Sequence, residues 1–460
     1  MLKQPVLLTH SLQLPSDSRL LSSDFTFGVA TAAFQIEGGA TSRLKNIWDT
    51  FCDKPSTIKD HSNGLTACDH FSLWEQDIDL IASLGVDAYR FSISWPRVID
   101  KQGQLVKDGV DFYNNILDKL QAKNIKAYVT LYHWDLPQHI EDMGGWLNRQ
   151  TAYLFQNYVD LISKAFGNKV FSYATLNEPF CSAYLGYEIG VHAPGLIGPE
   201  YGKKAAHHLL LAHGLAMQVL QKNCPTALNG IVLNFSPCHS LTENPADLAA
   251  AKLADQHFNQ WYIRPVLEGA YPDLINQLPH AHRPDIVEGD LAIISAPLDY
   301  IGVNYYTREI YQAETQQGFQ KVMDKPLPLT DMGWEIYPQG LSELLLDLHR
   351  TYKLPPILIT ENGAAMPDKI INNTVNDRQR LDYYQSHLLA VDDAIRQGVD
   401  IRGYFAWSLM DNFEWAEGYV KRFGIVYVDY ATMKRTIKAS GLAYRNLLNS
   451  RPHRVSHSIG

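Results

Sequence analysis

Short runs of apolar and β-favouring residues alternate along the whole chain with stretches in which apolar positions recur every three or four residues. The runs of the first kind are 25-FTFGVATA-32, 88-AYRFSIS-94, 126-KAYVTLYH-133, 170-VFSYATLN-177, 230-GIVLNFS-236, 299-DYIGVNYY-306, 356-PILITE-361 and 401-IRGYFAWS-408. Several are almost continuously apolar, which is the pattern of strands covered on both faces, as in a parallel sheet. In the second kind, three sets fall at i, i+3, i+4 and i+7: Tyr113, Ile116, Leu117 and Leu120; Tyr158, Leu161, Ile162 and Ala165; Leu341, Leu344, Leu345 and Leu348. Each set predicts a helix that buries one stripe. Eight strands with helices between them satisfy an α/β fold of the (β/α)8 TIM-barrel type with elaborated βα loops. A doubly wound open sheet is the alternative, but it would place a glycine-rich phosphate turn after the first strand, and 36-IEGGATSR-43 contains no GxGxxG. Neither a Pro/Gly/Ser linker nor a repeat of roughly 20 to 50 residues divides the chain. Residues 1–460 are therefore expected to form one domain.

Composition narrows the function classes. With 46% hydrophobic and 19% charged residues the chain has material for a large core and no signature of disorder. The net charge of -9 argues against a nucleic-acid partner, because that affinity comes from Lys and Arg neutralising phosphates. Cys52, Cys68, Cys181, Cys224 and Cys238 are odd in number and have no CxxC spacing, so buried, reduced thiols are expected and neither a disulfide framework nor a zinc site is signalled. The stretch 1-MLKQPVLLTHSLQLPSDS-18 lacks the apolar core of a signal peptide, and no run approaches the ~20 apolar residues of a membrane span. A cytoplasmic protein with no membrane partner is expected. The 25 Tyr and 9 Trp suit a site that stacks on a ligand and hydrogen-bonds it.

A barrel puts its chemistry at the C-terminal ends of its strands. There the chain carries Gln35 and Glu37 after the first run, Arg90 in the second, and His133, Trp134 and Asp135 at the third. Asn177 and Glu178 end the fourth, Asn304 and Tyr306 the sixth, Glu361 and Asn362 the seventh, and Trp407 the eighth. Glu178 and Glu361 lie 183 positions apart (361 minus 178), yet a closed barrel brings both to one mouth. Two carboxyls flanking one cavity suit glycoside hydrolysis, one protonating the leaving oxygen while the other attacks or activates water. Taken singly these residues also have plainer readings: the glutamates as rim salt-bridge partners, Gln35 or Trp407 as barrel filling, His133 as a core histidine.

The ordered motifs 25-FTFGVATAAFQIEG-38, 89-YRFSISWPR-97, 132-YHWDLP-137, 175-TLNEP-179, 302-GVNYY-306, 357-ILITENG-363 and 407-WSLMDNFEW-415 resemble glycoside hydrolase family 1, the β-glucosidase-like retaining glycosidases, from about Phe25 to about Tyr444. The resemblance implies Glu178 as general acid/base, Glu361 as nucleophile, Arg90 as the nucleophile's partner and Asn177 as the residue that bonds the sugar 2-hydroxyl. It also implies a sugar-reading set of Gln35, His133, Trp134, Asn304, Glu414 and Trp415, with Trp407 beneath the ring, Tyr306 near the nucleophile and Trp334 as an aglycone platform. Phe180 stands where family members often have Trp, which reshapes the leaving-group side. The implied partner is a small carbohydrate, a neutral β-glucoside or short oligosaccharide, with galactosides or fucosides tolerated.

Two rival functions remain beside this one. A 6-phospho-β-glycosidase of the same family resembles 414-EWAEGYVKRFG-424 but has Ser at position 414 and Tyr at position 423, and Lys421 is expected to pair with Glu414 here. A catalytically silent carbohydrate-binding barrel would have lost one glutamate, and both are present. The histidines of 207-HHLLLAH-213 are expected on a helix surface: His207 and His213 lack the i, i+4 spacing of a helical metal pair. No metal and no cofactor is expected, since two carboxylates need neither and no phosphate-binding fingerprint occurs.

Overall fold

The computed structural model describes residues 11–323 and 328–451, so the first ten residues of the stretch read above for a signal peptide lie outside the described residues. Every predicted run contains a strand: β1 (Thr26–Ala30), β2 (Ala88–Ser92), β3 (Lys126–Tyr132), β4 (Ser172–Asn177), β5 (Leu228–Phe235), β6 (Tyr300–Tyr305), β7 (Ile357–Asn362) and β8 (Ile401–Trp407). They pair in parallel in chain order, and β1 closes the barrel on β8. The β4–β5, β6–β7 and β7–β8 ladders shift register near their C-terminal ends, at Ala174/Asn177, Ile359/Glu361 and Ile359/Asn362. Such irregularities re-aim side chains at a barrel rim, and here they fall beside Asn177, Glu178 and Glu361.

The helices Lys107–Ala122 and Pro338–Thr351 bury the predicted stripes. Gln150–Phe166 is rotated from the expected face: Phe155, Tyr158, Val159, Ile162 and Phe166 are buried, whereas Leu161 and Ala165 lie half-buried at its edge. Aromatic packing decides this, since Tyr158 stacks on Trp95 at 5.0 Å and Phe155 contacts both Trp95 and Trp146, and large rings gain most from burial. The histidines of Pro199–Asn223 also correct the sequence reading. His207, His208 and His213 are buried beneath neighbouring elements. His207 bonds Tyr271 and Asp290, His208 the Trp146 carbonyl, and His213 the Thr175 hydroxyl. All five cysteines are unpaired, and Cys52 and Cys238 are half-buried where full burial was expected. No helix among the described residues is long and apolar enough to cross a membrane.

Beside the barrel mouth, three short strands (Cys238–Ser240, Glu309–Gln312, Gln320–Lys321) pack with the helix Pro245–Asp255 around a small separate apolar cluster. At the first βα loop, Glu37 is structural. Its carboxylate accepts from Arg97 Nε (2.9 Å) and from the Tyr113 hydroxyl (2.5 Å), while Arg97 Nη2 donates to the Gly38 carbonyl (2.8 Å). This pair pins the loop that carries Gln35. Because Arg97 is fully buried, Arg97→Ala leaves a buried carboxylate unpaired and is expected to cost about 3–5 kcal/mol. Denaturant unfolding monitored by circular dichroism checks this, and an unchanged midpoint would refute it.

Candidate active site

A cavity of about 1080 Å³ opens at the C-terminal end of the barrel, at the upper end of the ~300–1,000 Å³ usual for small-molecule sites. His133, Trp134, Glu178, Asn304, Tyr306, Trp334, Glu361, Trp407, Glu414 and Trp415 line it. Arg90, Asn177 and Gln35 stand behind this wall and hold it in place.

Glu361 ends β7 and is almost fully buried. Its Oε1 accepts from Arg90 Nη1 at 2.6 Å and its Oε2 from the Tyr306 hydroxyl at 2.6 Å. Gly363, two residues on, touches the Trp407 carbonyl so closely that a Cβ would lie 1.7 Å from that oxygen, so the turn after the carboxylate admits only glycine. Glu178 follows β4 with its backbone in the left-handed region (φ 47°). Among the described residues no cation contacts it. Its Oε1 accepts from Asn304 Nδ2 (2.6 Å) and its Oε2 from Cys181 Sγ (3.0 Å). Thr360 donates to Asn304 Oδ1 (2.7 Å), which fixes the amide with its N–H groups toward Glu178. Trp134 (φ 80°) and Trp415 (φ 48°) share the left-handed backbone. For residues other than glycine this conformation costs roughly 1–3 kcal/mol and gathers at functional sites.

Asn177 is the hub behind the two glutamates. Its Oδ1 accepts from Arg90 Nη2 (2.6 Å) and Asn304 Nδ2 (3.2 Å), its Nδ2 donates to His133 Nε2 (3.1 Å), and its carbonyl accepts from Trp134 Nε1 (2.8 Å). An amide nitrogen has two hydrogens, so one remains for a ligand hydroxyl. His133 lies between Trp407 and Trp415, with ring centroids 5.8 and 5.9 Å away and planes within 17°. Gln35 Nε2 donates to the Phe413 carbonyl (2.9 Å), Asn412 Oδ1 (3.1 Å) and, at 3.4 Å, Glu414 Oε2. Gln35 Oε1 and His133 Nδ1 have no partner among the described residues; these are polar atoms that a polyol could satisfy.

Three carboxyls, Glu178, Glu361 and Glu414, line the cavity, and their titration follows from burial and from one another's charge. Burial first, and then the Glu361 charge, push Glu178 up to about 7. Glu414, half-buried on the wall, is pushed up to about 8 by the same two causes in the same order. Glu361 is also raised by burial, against the pull of Arg90 and the Tyr306 hydroxyl. Of the two facing glutamates it is the one kept ionised, because the guanidinium touches it alone. His133 is held well below its usual range by burial and by Arg90, and is neutral.

One predicted contact is different. Lys421 pairs with Asp331 (3.1 Å) and donates to its carbonyl (2.5 Å), not with Glu414: the side chain turns to the loop before Trp334, where Asp331 offers both acceptors, while Glu414 tends to hold a proton. The sequence reading also passed over Cys181. Its signal was the i, i+3 spacing from Glu178: the Cys181 backbone N–H donates to the Glu178 carbonyl (2.9 Å), a turn that leads into the helical segment Cys181–Glu188 and brings the two side chains together.

The sequence matches the description "Glycosyl hydrolase family 1" over residues 17–452. The chain belongs to this family. A β-glucosidase of Agrobacterium sp. is 45% identical over 93% of this chain and 95% of its own length. A bifunctional β-D-glucosidase/β-D-fucosidase of Bifidobacterium breve is 42% identical over 92% of this chain and 97% of its own. The solved structure of a Thermotoga maritima family 1 glycoside hydrolase, complexed with a cyclophellitol analogue transition state mimic, superposes with a TM-score of 0.90 at 41% identity and covers 93% of this chain and 97% of that one.

The Cys181 contact gives a pH prediction. Its thiol donates to the charged form of Glu178 and so holds the carboxyl lower than burial alone would. Cys181→Val removes that donor, raises the Glu178 pKa, and is expected to move the alkaline limb of kcat/KM upward by about half a unit, the scale of one weak hydrogen bond. Cys181→Ser, which keeps a donor, leaves the limb where it is or lowers it. A downward shift in the valine variant would contradict the contact's role.

Proposed function

We propose that the chain is a retaining β-glucosidase that hydrolyses neutral β-glucosides by double displacement, with Glu361 as nucleophile and Glu178 as general acid and base. The observation that carries this reading is the unequal surroundings of the two glutamates. Glu361 is clamped by a guanidinium and a phenol, while the side-chain donors to Glu178 among the described residues are an amide and a thiol, and its pKa is pushed up to about 7. A nucleophile must be charged and an acid must hold its proton, and pairs of carboxyls driven apart in this way mark such assignments.

In the first step Glu361 bonds the anomeric carbon as the bond to the leaving oxygen breaks, and the Glu178 proton passes to that oxygen. In the second, water attacks the anomeric carbon, Glu361 departs, and Glu178 takes the water proton. The Asn177 N–H that remains after His133 is served supports the sugar 2-hydroxyl. Gln35, His133, Trp134, Asn304, Glu414 and Trp415 read the other hydroxyls, Trp407 lies beneath the ring, and Trp334 flanks the aglycone. The β-glucosidase and β-glucosidase/β-fucosidase relatives support glucosides with some tolerance elsewhere on the ring. A cytoplasmic location fits five unpaired cysteines.

Azide separates the two roles. Glu178→Ala is expected to lose roughly 10²–10⁴-fold on substrates with poor leaving groups and to form β-glucosyl azide when azide is added. Glu361→Ala is expected to form the α-azide instead. Proton NMR of the products decides, and the reverse pattern would mean the residues are exchanged.

The neutral-sugar preference rests on a cation that is already engaged. Lys421 is committed to Asp331, and Lys321 on the cavity rim to Glu309 (2.9 Å). A sugar 6-phosphate would bring a dianion toward Glu414 without a partner. With 4-nitrophenyl β-glucoside and its 6-phosphate as paired substrates, kcat/KM is expected to favour the neutral sugar by at least ~100-fold, since an unpaired buried charge costs several kcal/mol. Equal turnover would promote the phospho-glycosidase alternative.

A further inference from the structure

The loop after β8 brings Glu414, Trp415, Ala416 and Glu417 to the cavity wall. It closes on itself as a tight turn: the Glu414 N–H donates to the Gly418 carbonyl (2.7 Å), the Glu417 N–H to the Glu414 carbonyl (2.9 Å) and the Gly418 N–H to the Trp415 carbonyl (3.1 Å). Side chains do little to steady the Glu414 carboxyl. Among the described residues its hydrogen bond is the 3.4 Å one from Gln35 Nε2, so the turn itself sets where that carboxyl points.

Behind the turn runs the segment 53–67, part of the loop after β1. No described residue of this segment lines the cavity, yet it grips the turn along its length. The Lys59 N–H donates to the Ala416 carbonyl (2.8 Å), and Lys59 Nζ pairs with Glu417 (2.9 Å). Asp60 Oδ2 accepts from the Tyr419 N–H (2.7 Å), and the Tyr419 hydroxyl donates to the Asn63 carbonyl (2.8 Å). Gly418 lies so close that a Cβ would stand 1.9 Å from Asp60 Oδ1. That oxygen accepts from the Ser62 N–H (3.0 Å) and hydroxyl (2.5 Å), which aims the other one at Tyr419. The Lys59–Glu417 pair is solvent-exposed and contributes little. The Asp60–Tyr419 bond is half-buried and joins a carboxylate to a backbone N–H, a stronger kind of contact.

The segment is not relaxed. Ser56 (φ 64°) and His61 (φ 59°) flank Asp60 in left-handed backbone, and Ala67 (φ 48°) and Asp69 (φ 51°) follow. Residues other than glycine keep this conformation where their surroundings over-determine it, and the turn 414–418 is part of those surroundings. We propose that Asp60 is a positioning residue for Glu414: it holds the turn from behind, and so makes the enzyme favour sugars with a C6 hydroxymethyl group over sugars without one. This rests on the β-glucosidase reading above, in which Glu414 reads hydroxyls and the C6 substituent lies toward it.

Paired 4-nitrophenyl β-glucoside and β-xyloside test this, because the two share a leaving group and the xyloside lacks C6. In Asp60→Ala, kcat/KM for the glucoside is expected to fall roughly tenfold, the scale of one hydrogen bond to a charged group, while the xyloside changes by less than about twofold. Asp60→Asn keeps a carbonyl oxygen for the Tyr419 N–H and is expected to hold the glucoside-to-xyloside ratio within about threefold of wild type. Tyr419→Phe loses the Asn63 contact alone and is expected to lower the ratio by about two- to threefold; this milder change keeps the test open where Asp60→Ala does not fold. Equal losses on both sugars would mean that the segment only supports the fold, and would overturn the proposal. An unchanged ratio in Asp60→Ala would overturn it as well. Failure of wild-type enzyme to hydrolyse any β-glucoside would instead overturn the reading beneath it.

Discussion

Arg90 is a cation on β2 with almost no solvent exposure, and its two short contacts, to Glu361 and to Asn177, are both 2.6 Å. A buried guanidinium requires a charged or strongly polar partner, and removing one partner from such a pair costs several kcal/mol. That requirement fixes which carboxyl in the cavity carries the charge. Glu361 is ionised because Arg90 is beside it, Glu178 is pushed up partly because Glu361 is ionised, and Asn177 is oriented because Arg90 holds its oxygen. His133 and Trp134 are then placed by Asn177. One ion pair therefore orders the cavity wall from β2 to β7.

The barrel makes this ion pair possible. Residues distant in the chain meet because parallel strands in a closed sheet all end at the same rim. Local irregularities do the fine aiming: register shifts near Asn177 and Glu361, left-handed backbone at Trp134, Glu178 and Trp415, and a glycine after Glu361–Asn362 that lets the chain press against the Trp407 carbonyl. Each is unfavourable alone, and the surrounding packing holds it.

Much of this was legible in the sequence for a physical reason. Strands buried on both faces read as continuous apolar runs, so all eight were found, and a polar residue such as Glu178 or Glu361 at the end of such a run stands out against it. What escaped depends on neighbours that are remote in the chain. The Gln150–Phe166 helix presents Phe155 and Phe166 in place of Leu161 and Ala165, because Trp95 and Trp146 lie opposite. The histidines at 207, 208 and 213 look like a surface cluster until Tyr271, Asp290 and Thr175 are folded against them. Lys421 could be given a partner by adjacency alone, and Asp331 is 90 positions away. Cys181 was passed over although its i, i+3 spacing from Glu178 was visible, since a cysteine outside any paired spacing reads as core.

The central claim is that Glu361 forms the bond to the sugar. Incubating the enzyme with a 2-deoxy-2-fluoro-β-glucoside that carries a good leaving group slows both steps, and the leaving group lets the covalent intermediate accumulate. Mass spectrometry of the intact protein should then show one added fluoroglucosyl unit, and peptide fragmentation should place it on Glu361. An adduct on Glu178, or complete turnover of a reactive fluoroglucoside with no covalent species at any time, would contradict the account.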